Sequence, residues 1–265
     1  MKTIFDRETI RNNCEEFFSL YSVTKNRTFD MCKVKIIHTR HVTENCDKIT
    51  ESMGLDEYDR DIAWIIGELH DFARFGQAVV TKTFRDSERF NHARLGARIL
   101  FTHRMIEDII PNYSEVPDED KLVMEKAVYY HSDMALPDGL TERERMFCDI
   151  IRDADKMDIF RSVEEGNIFT LYACTWEDII SSDISPAVEE AFYRHETVLN
   201  SNRITPADKR CAHIALCFGL NSETAKEVVI EQGYLKKLME IEFVKPEVQE
   251  KYKRMKAEVL AFLDV

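Results

Sequence analysis

The chain has 265 residues, of which 44% are hydrophobic and 32% are charged, as in an ordinary globular protein long enough to bury a sizeable core. Its formal net charge of -13 argues against binding to duplex nucleic acid or to an anionic membrane surface, because both depend on Lys and Arg. Only 8 Gly and 6 Pro occur over this length, which favours helices over strands and turns and predicts an all-α fold.

The cysteines number seven and form no C-x-x-C pair, which predicts free thiols in a reducing compartment rather than disulfides or a structural zinc site. The first residues lack the apolar segment of a signal peptide, and no run reaches the ~18 apolar residues that a membrane span needs. We therefore expect a cytoplasmic protein that makes no membrane contact.

Hydrophobic residues recur with the helical period through the first part of the chain. Gly54 is a common kind of helix stop, and Thr141 with Glu144 forms the capping-box pattern that opens a helix. Residues 23–29, and residues 73–89 around Gly76, are predicted to be loops. The predicted helices cover, approximately, residues 6–20, 30–53, 56–71, 91–106, 119–131 and 141–159.

The character of the chain changes after Gly166. We expect residues 1–165 to form a helical core and residues 166–265 to form a helical C-terminal extension packed on it. The boundary is soft, so a single domain stays open as an alternative. The helices predicted in the extension lie near residues 168–181, 186–200, 206–219 and 221–240, with a last one after Pro246.

The pair His70 and Asp71 closes an otherwise apolar helical run. Ile62, Ile66 and His70 are spaced so that His70 extends the buried stripe of its own helix. A buried imidazole followed directly by a carboxylate needs partners, because unpaired buried polar groups are costly. The candidate partners lie at or near the ends of other predicted helices: His38, His92, His131 and one of Asp153 and Asp155.

Imidazole and carboxylate ligands from several helices are typical of metal sites in helical bundles, and they suit Mn, Fe, Zn, Ni or Co better than Mg. The residues alone leave other roles open. His38 could be a hydrogen-bonded core histidine, His92 a helix-start residue and His131 a C-terminal cap. Asp153 and Asp155 could form surface salt bridges, since a basic residue lies on each side of them.

Three segments resemble the HD superfamily of metal-dependent phosphohydrolases, whose pattern is His, then His-Asp, then Asp. They read HTRHV at residues 38–42, LHDFARF at residues 69–75 and DADKMD at residues 153–158. NHARLGARIL at residues 91–100 and YHSD at residues 130–133 resemble the extra His positions of members with two metals, as in the HD-GYP branch. The Gly-Tyr-Pro motif itself is missing, so cyclic dinucleotide hydrolysis is not implied.

The resemblance covers roughly residues 30–160 and implies an HD-domain-like helical bundle with additional C-terminal helices. It also implies one or two divalent metal ions, with Asp71 as the bridging carboxylate if two are bound. Near the ligands, Arg74 and Lys156 are the predicted phosphate-binding residues, and Gln77 could orient a phosphate or a water. The implied metal ligands are His38, His70, Asp71 and Asp155, with His92 and His131 for the second metal.

A basic stretch supports an anionic substrate, because residues 72–104 hold seven basic residues against two acidic ones. A charge run is often only a solvated face, but this one lies between two suspected ligand segments. Its basic residues are Arg74, Lys82, Arg85, Arg89, Arg94, Arg98 and Arg104.

The resemblance implies an enzyme, a phosphomonoesterase or phosphodiesterase that hydrolyses a phosphate ester of a small metabolite or nucleotide with metal-activated water. A homo-oligomer is left open. One alternative is an HD-fold di-iron oxygenase, which aerobic iron with a mixed-valent EPR signal would favour. The other is a non-catalytic HD module that binds nucleotide, which tight binding without turnover after Asp71→Ala would favour.

Overall fold

The computed structural model describes residues 3–21, 27–86 and 90–264. Within these residues the protein is all-helical and contains no β-strand, which confirms the predicted all-α class. The chain divides into two compact units, Met1–Asp155 and Lys156–Val265. No helix in the described part combines the length and the apolar character needed to cross a membrane.

The first unit consists of α-helices joined by short connections, with α2 packed along α3 and α5 packed against α7. The last of these helices, α8, continues past the end of the unit. The helices are α1 (Arg7–Ser19), α2 (Arg27–Ser52), α3 (Glu57–Leu69), α4 (Arg74–Thr81), α5 (His92–Ala97), α6 (Ile106–Ile109), α7 (Asp118–Tyr130) and α8 (Glu142–Glu164).

Local sequence signals set several of these helix ends. The Asp56 side chain accepts a hydrogen bond from the Asp59 N–H and caps α3, and Gly54 supplies the left-handed backbone, at φ +67°, that follows α2. The predicted capping box of α8 is present: the Thr141 N–H donates to Glu144 Oε2 at 2.9 Å, and the Glu144 N–H donates to Thr141 Oγ1 at 3.2 Å.

The prediction of a loop over residues 73–89 was wrong for α4, which occupies Arg74–Thr81. Phe75 and Ala78 are buried, so one face of this short helix packs into the unit. Gly76 forces no turn, because a Cβ there would meet nothing within 4 Å. Residues 87–89 of the predicted loop, and residues 22–26 at the other predicted loop, lie outside the described residues.

Asn91 begins α5 by accepting a hydrogen bond from the Arg94 N–H. A π-helix, Arg98–Thr102, follows directly, so the single predicted helix of residues 91–106 is interrupted. The buried face of this segment is formed by Ala93, Ala97 and Leu100. His92 is the first residue of α5 and directly follows the capping residue Asn91.

The second unit is built from shorter helices. Two of the predicted helices are each split in two, because Ala173 and Gly233 adopt left-handed backbone at φ 55° and 70°. All seven cysteines of the chain are free and buried, which confirms the prediction of free thiols. The helices of this unit are α9 (Ile168–Tyr172), α10 (Trp176–Ser181), α11 (Pro186–Tyr193), α12 (Pro206–Ile214), α13 (Glu223–Gln232), α14 (Tyr234–Leu238) and α15 (Pro246–Phe262).

Candidate metal centre

Five helices of the first unit bring six imidazole and carboxylate side chains into two groups that could hold metal ions. In each group, the three candidate ligand atoms lie within 4.8 Å of one another. The first donor group is His38 from α2, His70 from the end of α3 and Asp155 from α8. The second donor group is Asp71, His92 from α5 and His131 from the end of α7.

In the first donor group, the His38 Nε2 atom is the common neighbour. It lies 3.0 Å from Asp155 Oδ1 and 3.3 Å from His70 Nε2. The distance from His70 Nε2 to Asp155 Oδ1 is 3.9 Å. His38 and His70 are buried, and the side chain of Asp155 is 18% exposed, so solvent reaches this group from the side of Asp155.

In the second donor group, the Nε2 atoms of His92 and His131 are 2.9 Å apart. Asp71 Oδ1 lies 3.3 Å from His92 Nε2 and 3.9 Å from His131 Nε2. All three residues are buried. Two nitrogens that each lie about 2.0–2.1 Å from one metal ion are themselves roughly 3.0–3.4 Å apart, so the spacing of the nitrogens in both groups suits a shared ion.

Asp71 joins the two groups because its two carboxylate oxygens face different histidines. Oδ1 faces the second donor group, whereas Oδ2 lies 3.5 Å from His70 Nε2 and 3.7 Å from His38 Nε2. A carboxylate placed in this way can give one oxygen to each of two cations.

Two of the histidines have their tautomer fixed by a carbonyl oxygen one helical turn earlier. His70 Nδ1 lies 2.7 Å from the carbonyl oxygen of Gly67, and His131 Nδ1 lies 2.7 Å from that of Val128. A carbonyl oxygen can only accept a hydrogen bond, so both Nδ1 atoms carry the proton. In the neutral ring, each Nε2 atom then carries a lone pair that points to the centre, as in metal-binding histidines.

The third fixed histidine is His92, whose Nδ1 lies 2.6 Å from Asp86 Oδ2. Burial raises the pKa of Asp86, but the hydrogen bond from His92 and the charge of Arg74 outweigh burial and lower the pKa overall. Asp86 is therefore ionised and accepts the Nδ1 proton. For His92 itself, burial outweighs the neighbouring carboxylates and lowers the pKa, which keeps the ring neutral.

The facing nitrogens of His92 and His131 are the strongest sign of a cation site. Burial, and then the nearby rings of His92 and His70, lower the pKa of His131 to about 3, so this ring is neutral as well. Both rings hold their proton on Nδ1, and neither Nε2 has a proton to give to the other. Two lone pairs at 2.9 Å repel each other unless a positive charge lies between them.

Two cationic side chains also contact Asp71. Lys35 Nζ lies 2.5 Å from Oδ2, and Arg74 Nε lies 3.3 Å from Oδ1. Burial by itself would raise the pKa of Asp71, but the charge of Lys35, the neighbouring His70 ring and the charge of Arg74 outweigh it and hold the pKa well below 3.8. Asp71 is therefore a carboxylate at neutral pH, as a metal ligand must be.

Gln77 and Asp86 fix the guanidinium of Arg74. Arg74 Nη1 donates to Gln77 Oε1 at 2.7 Å, to the Phe84 carbonyl oxygen at 2.6 Å and to Asp86 Oδ1 at 3.1 Å. The Gln77 amide donates to Asp86 Oδ1 at 3.1 Å and to the Arg85 carbonyl oxygen at 3.2 Å. Gln77 is fully buried and bonded within the protein, so its predicted role of orienting a phosphate or a water is replaced by that of positioning Arg74.

The structure distinguishes candidate ligands from neighbouring residues of the same type. His38 belongs to the first donor group, whereas His41 Nδ1 lies 3.3 Å from Glu44 on the same helix. Asp155 belongs to that group as well. Asp153 is buried but is in neither of the two groups found among the described residues.

Lys156, the other predicted phosphate-binding residue, begins the second unit. Its stem packs against Gly219, where an added Cβ would lie 2.9 Å from Lys156 Cε and 3.3 Å from Thr197 Cγ2. The absence of a side chain at Gly219 therefore makes room for the lysine. Its role in phosphate binding stays a prediction.

The basic stretch of residues 72–104 is not one cationic surface. Arg94 makes a two-pronged ion pair with Asp133, at 3.1 and 3.0 Å, and Arg104 pairs with Glu107 at 2.7 Å. Arg89 lies outside the described residues. Of the remaining basic residues in this stretch, Arg74 is the one with a described contact to a candidate ligand.

Sequence reasoning missed Lys35 and Asp86. Lys35 precedes His38 by three residues in α2, so the two side chains lie on the same helical face, and this spacing could have revealed it. Asp86 lies in a connection between α4 and α5, where no periodicity indicates which way a side chain points. Its contact with His92 depends entirely on the path of that connection.

Comparison with known proteins adds no relative: no protein-family profile, no curated protein and no solved structure matches this chain. The described geometry is thus that of a helical protein with a buried His/Asp cluster that could hold metal, which is compatible with an HD-like protein.

Proposed function

We propose that this protein is a metal-dependent phosphohydrolase of the HD type, which hydrolyses a phosphate ester of a small metabolite or nucleotide. The observation that carries the proposal is the surroundings of Asp71. Its Oδ2 atom faces His38, His70 and Lys35, and its Oδ1 atom faces His92, His131 and Arg74. One buried carboxylate is thus shared by two groups of metal-ligand type and by two cationic side chains.

The residues fit a pair of divalent metals. His38, His70 and Asp155 would hold one ion and His92 with His131 the other, with Asp71 shared between them. Held there, the metals would supply Lewis acidity, which lowers the pKa of a water molecule and neutralises charge on phosphoryl oxygens. Nitrogen and carboxylate ligands without thiolate favour Mn, Fe, Co, Ni or Zn over Mg.

An anionic substrate is supported by Arg74 and Lys35. Among the described residues, no contact engages Arg74 Nη2, and Lys35 Nζ uses one of its three donors on Asp71. Each can therefore donate to a phosphoryl oxygen next to Asp71. Gln77 and Asp86 hold the guanidinium so that little of its freedom is lost when substrate binds.

The exposure of Asp155 supports access for the substrate. The other ligand candidates are buried, whereas the Asp155 side chain is 18% exposed, and those of Lys35 and Arg74 are 16% and 14% exposed. The phosphate group of a substrate would enter beside these three residues, with the rest of the substrate behind it. This favours a terminal phosphate or a flexible diester over a phosphate enclosed in a rigid polymer.

The test combines metal analysis with turnover. The freshly purified protein, and protein stripped with chelator and reloaded with Mn, Fe, Co, Ni or Zn, is measured for bound metal per chain. Each form is then assayed with p-nitrophenyl phosphate, bis-p-nitrophenyl phosphate and a set of nucleotides. We expect bound metal and metal-dependent hydrolysis, and Asp71→Asn is expected to lose both, with activity reduced by roughly a thousandfold or more.

Asp120→Asn is the matched control, because Asp120 is another buried carboxylate of the first unit. It accepts from Arg143 Nε at 2.9 Å and from the Tyr58 hydroxyl at 3.0 Å. This variant is expected to be less stable but to keep metal and activity. A wild-type protein that takes up no metal would overturn the proposal, and iron with a mixed-valent EPR signal but no ester hydrolysis would favour the di-iron oxygenase instead.

A further inference from the structure

A second cluster of charged residues lies in the unit Lys156–Val265 and shares no residue with the two donor groups. Arg203 follows a short 3-10 helix, Asn200–Asn202, and its guanidinium donates to the Val198 carbonyl oxygen at 3.0 Å. Its Nε atom is buried and has no hydrogen-bond partner. Among the described carboxylates, none forms an ion pair with Arg203.

Arg210 of α12 also has an Nε–H group without a hydrogen-bond acceptor among the described residues. It is 5% exposed, and Nη2 donates to Glu164 Oε2 at 3.1 Å, but its Nε atom is buried without a partner. Trp176 covers the guanidinium, with the ring centroid 5.8 Å from Arg210 Cζ. A buried arginine with an unused Nε–H lacks an acceptor that a planar oxyanion would provide.

The charges of both guanidiniums act on the pair Tyr172 and His213. The Tyr172 hydroxyl lies 2.9 Å from His213 Nδ1, and Lys209 Nζ donates to the Tyr172 carbonyl oxygen at 2.8 Å. Burial, followed by the charges of Arg203 and Arg210, lowers the pKa of His213 to about 3. His213 therefore adds no charge of its own at neutral pH.

The cluster has more positive than negative charge. Lys209, Arg203 and Arg210 carry three positive charges, and Glu164 is the only described carboxylate that pairs with any of them. The nearest acid on α12, Asp208, uses its oxygens to accept from Ser185, Ile204 and Thr205. Buried charge without a partner is costly, so this arrangement would gain from an anion that supplies acceptors.

We propose that Arg203 and Arg210, together with Lys209, form an anion-binding site in the second unit that takes a small oxyanion such as a phosphate or a carboxylate group. Its two unused Nε–H donors would hold the oxygens, and Lys209 would add positive charge. Arginine suits this role, because its donors lie in a plane that matches both kinds of oxyanion. The site shares no residue with the two donor groups, and its test does not depend on whether the protein is a hydrolase.

The experiment measures thermal stability against anion concentration. Wild-type protein is stripped of metal with chelator and titrated with inorganic phosphate, and separately with malonate, at constant ionic strength set by chloride. We expect a saturable rise in Tm for at least one anion, of roughly 3–6 °C at ten times the dissociation constant. The anion that binds more tightly shows whether the site prefers a phosphate or a carboxylate group.

Arg203→Met is the decisive variant. Because no described carboxylate pairs with Arg203, we expect Arg203→Met to leave Tm unchanged or raised without anion, and to abolish the rise with anion. Arg194→Met removes an exposed arginine of the same unit, paired with Glu190, and is expected to keep the wild-type response. Absence of a saturable rise in wild type, or an equal rise in Arg203→Met, would overturn the proposal.

Arg203→Lys keeps the experiment decisive if the Met variant fails to fold. Lysine retains the charge but not the planar donors, so the dissociation constant is expected to rise about tenfold or more. An unchanged dissociation constant in Arg203→Lys would show that only net charge matters, and would contradict a site built on the guanidinium donors.

Discussion

The candidate ligand sites of the two units are built from opposite kinds of buried polar atom. In the first unit, His92 and His131 point two nitrogen lone pairs at each other across 2.9 Å. In the second unit, Arg203 and Arg210 each bury an Nε–H group that has no acceptor. Surplus acceptors suit a cation, and surplus donors suit an anion.

The comparison also shows why buried polar groups are informative about ligands. Most buried polar atoms in a folded protein find a partner, so a concentrated set of exceptions needs a physical explanation. Around Asp61 and Asp120 the first unit does pair its buried charges, with Arg7 and Arg143. At the facing nitrogens of His92 and His131, and at the Nε–H groups of Arg203 and Arg210, a bound ion would complete the missing interactions.

The largest expected effect concerns His131, and it tests the surplus of acceptors in the first unit. His131→Leu is expected to lower metal-dependent activity by roughly a thousandfold, because one ligand is lost. The free energy of unfolding of the metal-free protein should stay within about 1 kcal/mol of wild type, since the change also removes the lone-pair repulsion. Denaturant unfolding with chelator checks this, and a loss of several kcal/mol would contradict it.

The next largest effect is the pH dependence of stability that His213 causes in the second unit. Burial lowers the pKa of this residue from its ordinary 6.5 to about 3, so the unfolded chain takes up the proton first as pH falls. The free energy of unfolding therefore does not change through His213 above about pH 6.5. It decreases steadily as the pH falls from 6.5 to 3.

His213→Gln keeps an acceptor for the Tyr172 hydroxyl but cannot titrate. Between pH 7 and pH 4.5, wild type should lose about 2–3 kcal/mol more unfolding free energy than the variant does. Denaturant unfolding at the two pH values measures the difference. Equal losses in the two proteins would show that His213 is not held neutral.

A smaller effect is expected at Asp86, which fixes the tautomer of His92. Asp86→Asn should weaken binding of the second metal by about 10–100-fold and leave the first donor group little changed. Metal titration should then show one tight and one weak ion per chain. The matched control is Asp133→Asn, whose partner is the exposed side chain of Arg94, and it should leave both affinities unchanged.

The smallest effect compares one glycine from each unit. Gly54 and Gly233 have φ values of +67° and +70°, and a Cβ at either would meet nothing within 4 Å. Replacing either with Ala should cost about 1–2 kcal/mol from backbone strain alone. Gly139→Ala is the control, because Gly139 also has open space but is not in the left-handed region, and its change should be nearly neutral.

The fold class could be predicted because helices are local structures. The scarcity of Gly and Pro, the apolar periodicity and the capping box at Thr141 act over a few residues, and all are visible in the sequence. The loop predicted around Gly76 was wrong because a glycine in a short helix is tolerated when the buried face on either side packs well.

The sequence by itself also determined which residue types could form a metal site. His70 extends the apolar stripe of α3, and a buried imidazole next to a carboxylate requires partners whatever the fold. The candidate partners could be named from their residue types and their positions near helix ends. Their meeting could not be derived, because residues far apart in sequence are brought together only by helix packing.

Only the tertiary structure decided how the donors are grouped. Asp153 and Asp155 are two residues apart on α8, and helical periodicity gave no reason to prefer either. The packing of the first unit brings Asp155 to His38, and the path after α4 brings Asp86 to His92. The unused donors of Arg203 likewise became visible only in the fold, because a missing partner is a property of everything around a side chain and not of its own sequence.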